Sequence, residues 1–192
     1  MKKVGGILVV ALFAALLVGC PKKAPPGPLP SGTLGENLVT VTATVEKIDL
    51  SKRLVTLRGP DGKLFTVHAD ERVKNLAQVH KGDQVTTSYY ESVAFEVKRP
   101  GEAQLGTEQA ATAATAKPGE KPAGVAATAV TVTTKITDID KKNGTVTLEG
   151  AEGNSVTVKV QNPANLDRVK VGDLVQITYS EALAISVEAA QK

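Results

Sequence analysis

Few residues in this chain have side chains able to do chemistry. Cys20 is the single thiol, a nucleophile able to accept an acyl or alkyl group, and it lies directly behind the apolar run Val4 to Leu17. His68 and His80 are the two imidazoles. Carboxylates recur beside glycine, as Gly82 Asp83 and Gly172 Asp173, and at Asp49 and Asp140. A repeated polar pair, Tyr89 with Glu91 and Tyr179 with Glu181, completes the inventory.

The thiol has the strongest context. Lys2 and Lys3 open the chain, Val4 to Val18 is too short to span a bilayer comfortably, and the small residue Gly19 precedes Cys20. In its Leu17 Val18 Gly19 Cys20 sequence the chain resembles bacterial lipoproteins, whose lipobox has this spacing. The resemblance covers the first twenty or so residues. It implies cleavage before Cys20, diacylglycerol on the sulfur and an acyl chain such as palmitate on the new amine. Each buried methylene contributes about 0.8 kcal/mol, so two or more chains hold a protein on a membrane for long periods. Pro21 in place of Asp resembles the outer-membrane sorting class, so the expected location is the cell envelope, facing the periplasm if the source has two membranes. An uncleaved membrane anchor and a secretory signal ending by coincidence in cysteine are the competing readings.

Composition narrows the remaining chemistry. The formal charge of +3 falls to about +1 once Lys2 and Lys3 leave with residues 1–19. Past residue 19 there is no Trp, and the aromatics are Phe65, Phe95, Tyr89, Tyr90 and Tyr179. Nucleic-acid binding needs a basic groove and stacking rings, so no nucleic-acid partner is expected. His68 and His80 have Lys159 and Lys170 as counterparts, and no Cys past position 20 and no Met past position 1 can join them, so no metal site is expected. No Ser, His and Asp set or other spaced nucleophile arrangement emerges, so the chain is expected to be no enzyme and to carry no cofactor. The Gly-Asp carboxylates, like Asp49 and Asp140, are expected to serve turns, with glycine supplying the backbone angle and Asp accepting local amides.

The elements that must position these groups come as a duplication. Val39 to Val97 overlays Val130 to Val187 at an offset of about 90 residues with a one-residue slip. Ile48 Asp49 meets Ile139 Asp140, Val55 Thr56 Leu57 meets Val146 Thr147 Leu148, and Gly82 Asp83 meets Gly172 Asp173. Val39, Val41, Ala43 and Val45 alternate with threonines, the period of a strand. Turns at Asp49 to Arg53 and Gly59 to Gly62, and at Asn143 Gly144 and Gly150 to Gly153, separate three strands in each copy. Val73, Leu76 and Val79 then predict a short helix, and Leu166 and Val169 do the same in the second copy. Two further strands follow, joined by a hairpin through Glu91 or Glu181.

This order predicts an all-β protein: two tandem five-stranded OB-like small barrels, each with a short helix between strands 3 and 4. The expected division is a signal peptide at 1–19, a lipidated Pro-rich tether at 20–37, repeats at 38–98 and 129–189, and a flexible Ala/Thr/Pro/Gly-rich linker at 99–128. Proline between Pro21 and Gly35 would let the tether reach on the order of 45 Å. Whether the repeats form separate barrels or one merged domain, and the oligomeric state, are left open. In its Val-Thr-Leu, Gly-x-x-Gly and Gly-Asp-x-Val signatures the chain resembles exported bacterial proteins. In size and strand order each module is also similar to exported OB-like copper carriers, although their His, Met and Trp ligands have no counterpart here. The expected role is a non-catalytic binding or structural module that meets the membrane through its lipid and an envelope protein through Tyr89, Glu91, Tyr179 and Glu181. A periplasmic carrier of a small ligand or metal ion is the alternative.

Overall fold

The computed structural model describes residues 27–190. Cys20 and the segment read as its signal peptide lie outside the described residues. The chain is all-β and forms one antiparallel sheet of nine strands. β1 (Ser31–Asp49), β2 (Leu54–Arg58), β3 (Leu64–His68) and β4 (Gln84–Lys98) come from the first copy. β5 (Gly106–Thr115) precedes the second set, β6 (Ala123–Asp140), β7 (Thr145–Glu149), β8 (Ser155–Lys159) and β9 (Leu174–Glu188). The order across the sheet is β3-β2-β1-β4-β9-β6-β7-β8, with β5 pairing β6.

The local reasons for these elements repeat in each half. Arg53 (φ 52°) holds the left-handed position in the turn after β1 that Gly144 (φ 69°) holds after β6. Their carbonyls accept from the amides of Ala69 and Val160 at 2.8 Å in both cases. β1 shifts register between Val45 and Lys47, and β6 between Ile136 and Asp138, so one bulge bends each long strand at the same place. Inward-facing Val45, Val55 and Leu57 then pack beneath Leu76 and Val79. Ile136, Val146 and Leu148 pack with Leu166 in the second half. Val45 and Ile136 are 0% and 2% exposed, which marks the deepest point of each core.

Four expectations are corrected. First, the sheet is not closed, because β3 and β8 stand at its two ends without meeting. Second, the segments expected as short helices are 3-10 turns, Leu76–Gln78 and Pro163–Asp167. Apolar residues three apart, as in Val73, Leu76 and Val79, suit a helix with three residues per turn. Third, no hairpin passes through Glu91 or Glu181: β4 and β9 are single strands of 15 residues each. Each half therefore supplies four strands of its own in place of five. Fourth, the stretch read as a flexible spacer carries β5 and the start of β6, and β1 begins at Ser31, inside the stretch read as tether.

The long strands merge the two copies. In the β4–β9 ladder Glu91 stands opposite Glu181, its own counterpart, so a local twofold axis passes between them. Val85 faces Val187 and Val97 faces Val175, as that axis requires. The Val97 amide donates to the Pro30 carbonyl and the Val187 amide to that of Pro122, both at 2.9 Å. Each core consequently borrows from the other copy: Leu29, Phe95 and Val97 pack in the second core, and Val187 packs against the first.

Candidate binding surface

The four residues of the repeated polar pair meet at the twofold axis, in mid-strand rather than at a hairpin tip. Tyr89 Oη lies 3.2 Å from Glu91 Oε2 and 3.1 Å from Glu181 Oε1, within reach of donating to either. Asn37 Nδ2 approaches the other oxygen of Glu91 at 3.5 Å. Burial first, then the Tyr179 hydroxyl and the Glu181 carboxylate, push the Tyr89 hydroxyl well above its ordinary pKa. It is held as a proton donor, and its proton serves the two carboxylates. Tyr179 is 39% exposed, so the polar centre opens to solvent on that side.

Alternation along the ladders sorts the rest of the sheet into two faces. Pairing carries one face across Val39, Tyr89, Leu183 and Ala126, then across Val41, Thr87, Ile185 and Gly124. Beyond the axis the same face holds Val93, Tyr179 and Val130, then Phe95, Ile177 and Val132. Val39, Val41, Leu183 and Ile185 are between 41% and 47% exposed. The opposite face carries small polar pairs: Thr40 with Ser88 at 3.0 Å, Thr42 with Thr86 at 3.1 Å, and Thr131 with Thr178 at 2.9 Å. An apolar strip with a Tyr and Glu centre thus lies between the two 3-10 turns, which pack on the same face at its ends.

A half-open pocket of about 380 Å³ borders the second core, among Leu34, Phe95, Leu148, Val158, Leu166 and Ile177. Its lining is mostly apolar, with Ser31, Lys159, Gln161, Asn162 and Asn165 as the polar members.

The turn carboxylates behave as their positions suggest. Asp49 accepts from the Lys52 amide at 3.0 Å and Asp140 from the Asn143 amide at 2.9 Å. Gly82 (φ 92°) and Gly172 (φ 97°) take the left-handed angle, while Asp83 and Asp173 accept from the amides of His80 and Lys170 at 2.8 and 3.0 Å. Sequence reasoning missed that these two carboxylates are also buried ion pairs. Arg99 Nη1 donates to Asp173 at 2.6 Å, and Lys121 Nζ pairs with Asp83. Burial raises the Asp83 carboxyl, yet the hydrogen bond from Lys121, the His80 amide and the charge of Lys121 outweigh it and hold its pKa below the ordinary value. The counterpart of Arg99 in the second copy is Ala189, so Lys121 reaches in from the joining segment to serve the first. The absence of an Arg at position 189, beside a buried Asp, was the available signal.

His68 ends β3 and His80 precedes the Asp83 turn, both exposed. Among the described residues no three His, Cys, Asp or Glu side chains gather as a metal-binding group. Compared with protein families, curated proteins and solved structures, the chain finds no match.

Proposed function

We propose that this chain is a non-catalytic binding or structural module of a bacterial cell envelope, anchored by lipid on Cys20, that offers the strip around Tyr89, Glu91, Tyr179 and Glu181 to a protein partner. The observation that carries the reading is the strip itself: Val39, Val41, Leu183 and Ile185 exposed around a polar centre on one face of a continuous sheet. A contiguous exposed apolar patch marks a contact surface, and the polar centre would fix the partner's position on it. The non-catalytic reading rests on where the carboxylates are engaged, since Asp49, Asp83, Asp140 and Asp173 all serve backbone amides. Within this reading each half is an OB-like module opened out, its long last strand standing where strands 4 and 5 of a barrel would.

Crosslinking in intact envelopes followed by pull-down tests the partner. One specific protein, lost on Leu183→Lys with the fold retained, is the expected result. Capture that ignores Leu183→Lys refutes the strip, and an unacylated N-terminus in a cytosolic fraction refutes the anchor.

A second reading, a carrier of a small apolar ligand, is favoured by the pocket beneath Leu166. Saturable uptake of a fluorescent fatty acid, abolished by Leu148→Trp, would select it.

A further inference from the structure

The twofold axis makes the two halves comparable position by position, and one position differs. In the second half, the outer edge of β6 from Gly124 to Thr133 is covered by β5, which pairs with it antiparallel over ten residues. In the first half, β2 pairs with β1 only from Thr44 onward, so the outer edge of Ser31 to Ala43 has no strand partner among the described residues. Every residue from Ser31 to Thr42 is exposed, Leu38 to 64%.

Strand parity shows which backbone groups are free. Val45 directs its amide and carbonyl toward Asp83 and Gly82 on the β4 side. Register is continuous from Thr44 back to Gly35, so odd-numbered residues bond β4. Glu36, Leu38, Thr40 and Thr42 therefore point their N–H and C=O groups outward. From Gly35 to Ala43, past the register shift at Thr33 and Gly35, the edge has no proline, no bulge and one acid, and so lacks the devices that normally block strand addition.

From this we infer that the β1 edge pairs antiparallel with the β1 edge of a second copy of this chain, completing on the first half the coverage that β5 gives the second. Among the described residues no spare strand fills the position: outside the strands and turns they leave short connections, and Gly27 to Pro30 holds two prolines, which donate no ladder bond. The edge also complements itself. With Asn37 on the new axis, Glu36 faces Leu38 rather than its own copy, and Gly35 faces Val39. The strand of the second copy then runs out before Thr44, where β2 already occupies the edge. The proposal stands on the sheet alone and does not depend on the lipid anchor or the partner strip.

The test is native mass by sedimentation of the full chain in mild detergent, together with cysteine crosslinking. Asn37, whose own backbone groups bond β4, would be a non-hydrogen-bonded pair across the axis, about 4.5 Å between Cα atoms, a separation that a disulfide spans. Twice the mass of one chain is expected, with Asn37→Cys crosslinking the majority of chains and the exposed control Glu152→Cys essentially none. Leu38→Pro should halve the mass at unchanged far-ultraviolet spectrum, because it removes only an outward amide. Val39→Pro should instead unfold the sheet, because its amide bonds β4. A monomer at tens of micromolar, a dimer indifferent to Leu38→Pro, or a different protein found on the edge would each overturn the inference.

Discussion

Arg99 is the most informative residue to remove. Among the described residues its guanidinium is the only side chain compensating Asp173, whose carboxylate is 0% exposed and whose Oδ1 finds no hydrogen-bond partner among them. Removing one partner of a buried pair costs about 3–5 kcal/mol because a charge is left uncompensated. Arg99 itself is 31% exposed, so water can enter the space it vacates, and the lower end, about 3 kcal/mol, is expected. For a domain of this size each kcal/mol lowers Tm by about 2–4 °C, which predicts a fall of about 6–12 °C for Arg99→Ala. Thermal melting by circular dichroism, with urea denaturation as a second measure, reads it directly. The double variant Arg99→Ala with Asp173→Asn keeps an acceptor for the Lys170 amide while removing the orphaned charge, and should recover more than half the loss. A Tm within about 2 °C of the parent for the single variant, or no recovery in the double one, would refute the uncompensated-charge argument.

Two further outcomes follow from the same ladders. Because Lys121 and the His80 amide hold the Asp83 carboxyl below its ordinary value against burial, the stability it contributes is complete above the unfolded pKa, about 3.9, and is lost as pH falls through the lower folded value. Denaturation from pH 6 to pH 2 should show a smaller acid loss in Lys121→Met than in the parent, and parallel curves would contradict the pairing. Glu91 and Glu181 face each other as like charges, so Glu91→Gln, which keeps an acceptor for Tyr89, should stabilise the fold by about 0.2–1 kcal/mol at pH 7. A loss of stability in urea titration would show that the two carboxylates do not repel.

Much of this architecture was legible in local pattern. The alternation of Val39, Val41, Ala43 and Val45 set strand and face together, since a period of two admits no other regular structure. Asp49, Asn143 Gly144 and the Gly-Asp pairs announced their turns because each has a specific backbone angle or amide to serve. What escaped depended on neighbours distant in sequence. A charged Glu91 within an apolar run suggested a turn, yet Tyr89 and the strand opposite hold it in mid-ladder. The Ala- and Thr-rich stretch from residue 106 offers little to bury, but a ready ladder on β6 turns such residues into strand, because strand preference is set largely by context. The candidate residues Tyr89, Glu91, Tyr179 and Glu181 were found as a repeat. Their convergence was invisible, since it required β4 to pair with β9.

The exchange of core residues between copies also governs when the protein can assume its shape. Val187 flanks the core built around Val45, and Leu29 flanks the one built around Ile136, so neither interior is finished until almost the whole polypeptide has been made. Lys121, which neutralises Asp83, likewise arrives long after the strands it serves. A ribosome would therefore release a chain still open along its length, with distant contacts to form last and slowly. Severing the chain between residues 99 and 121 would leave two fragments, each missing part of its own interior, able to assemble only by finding the other.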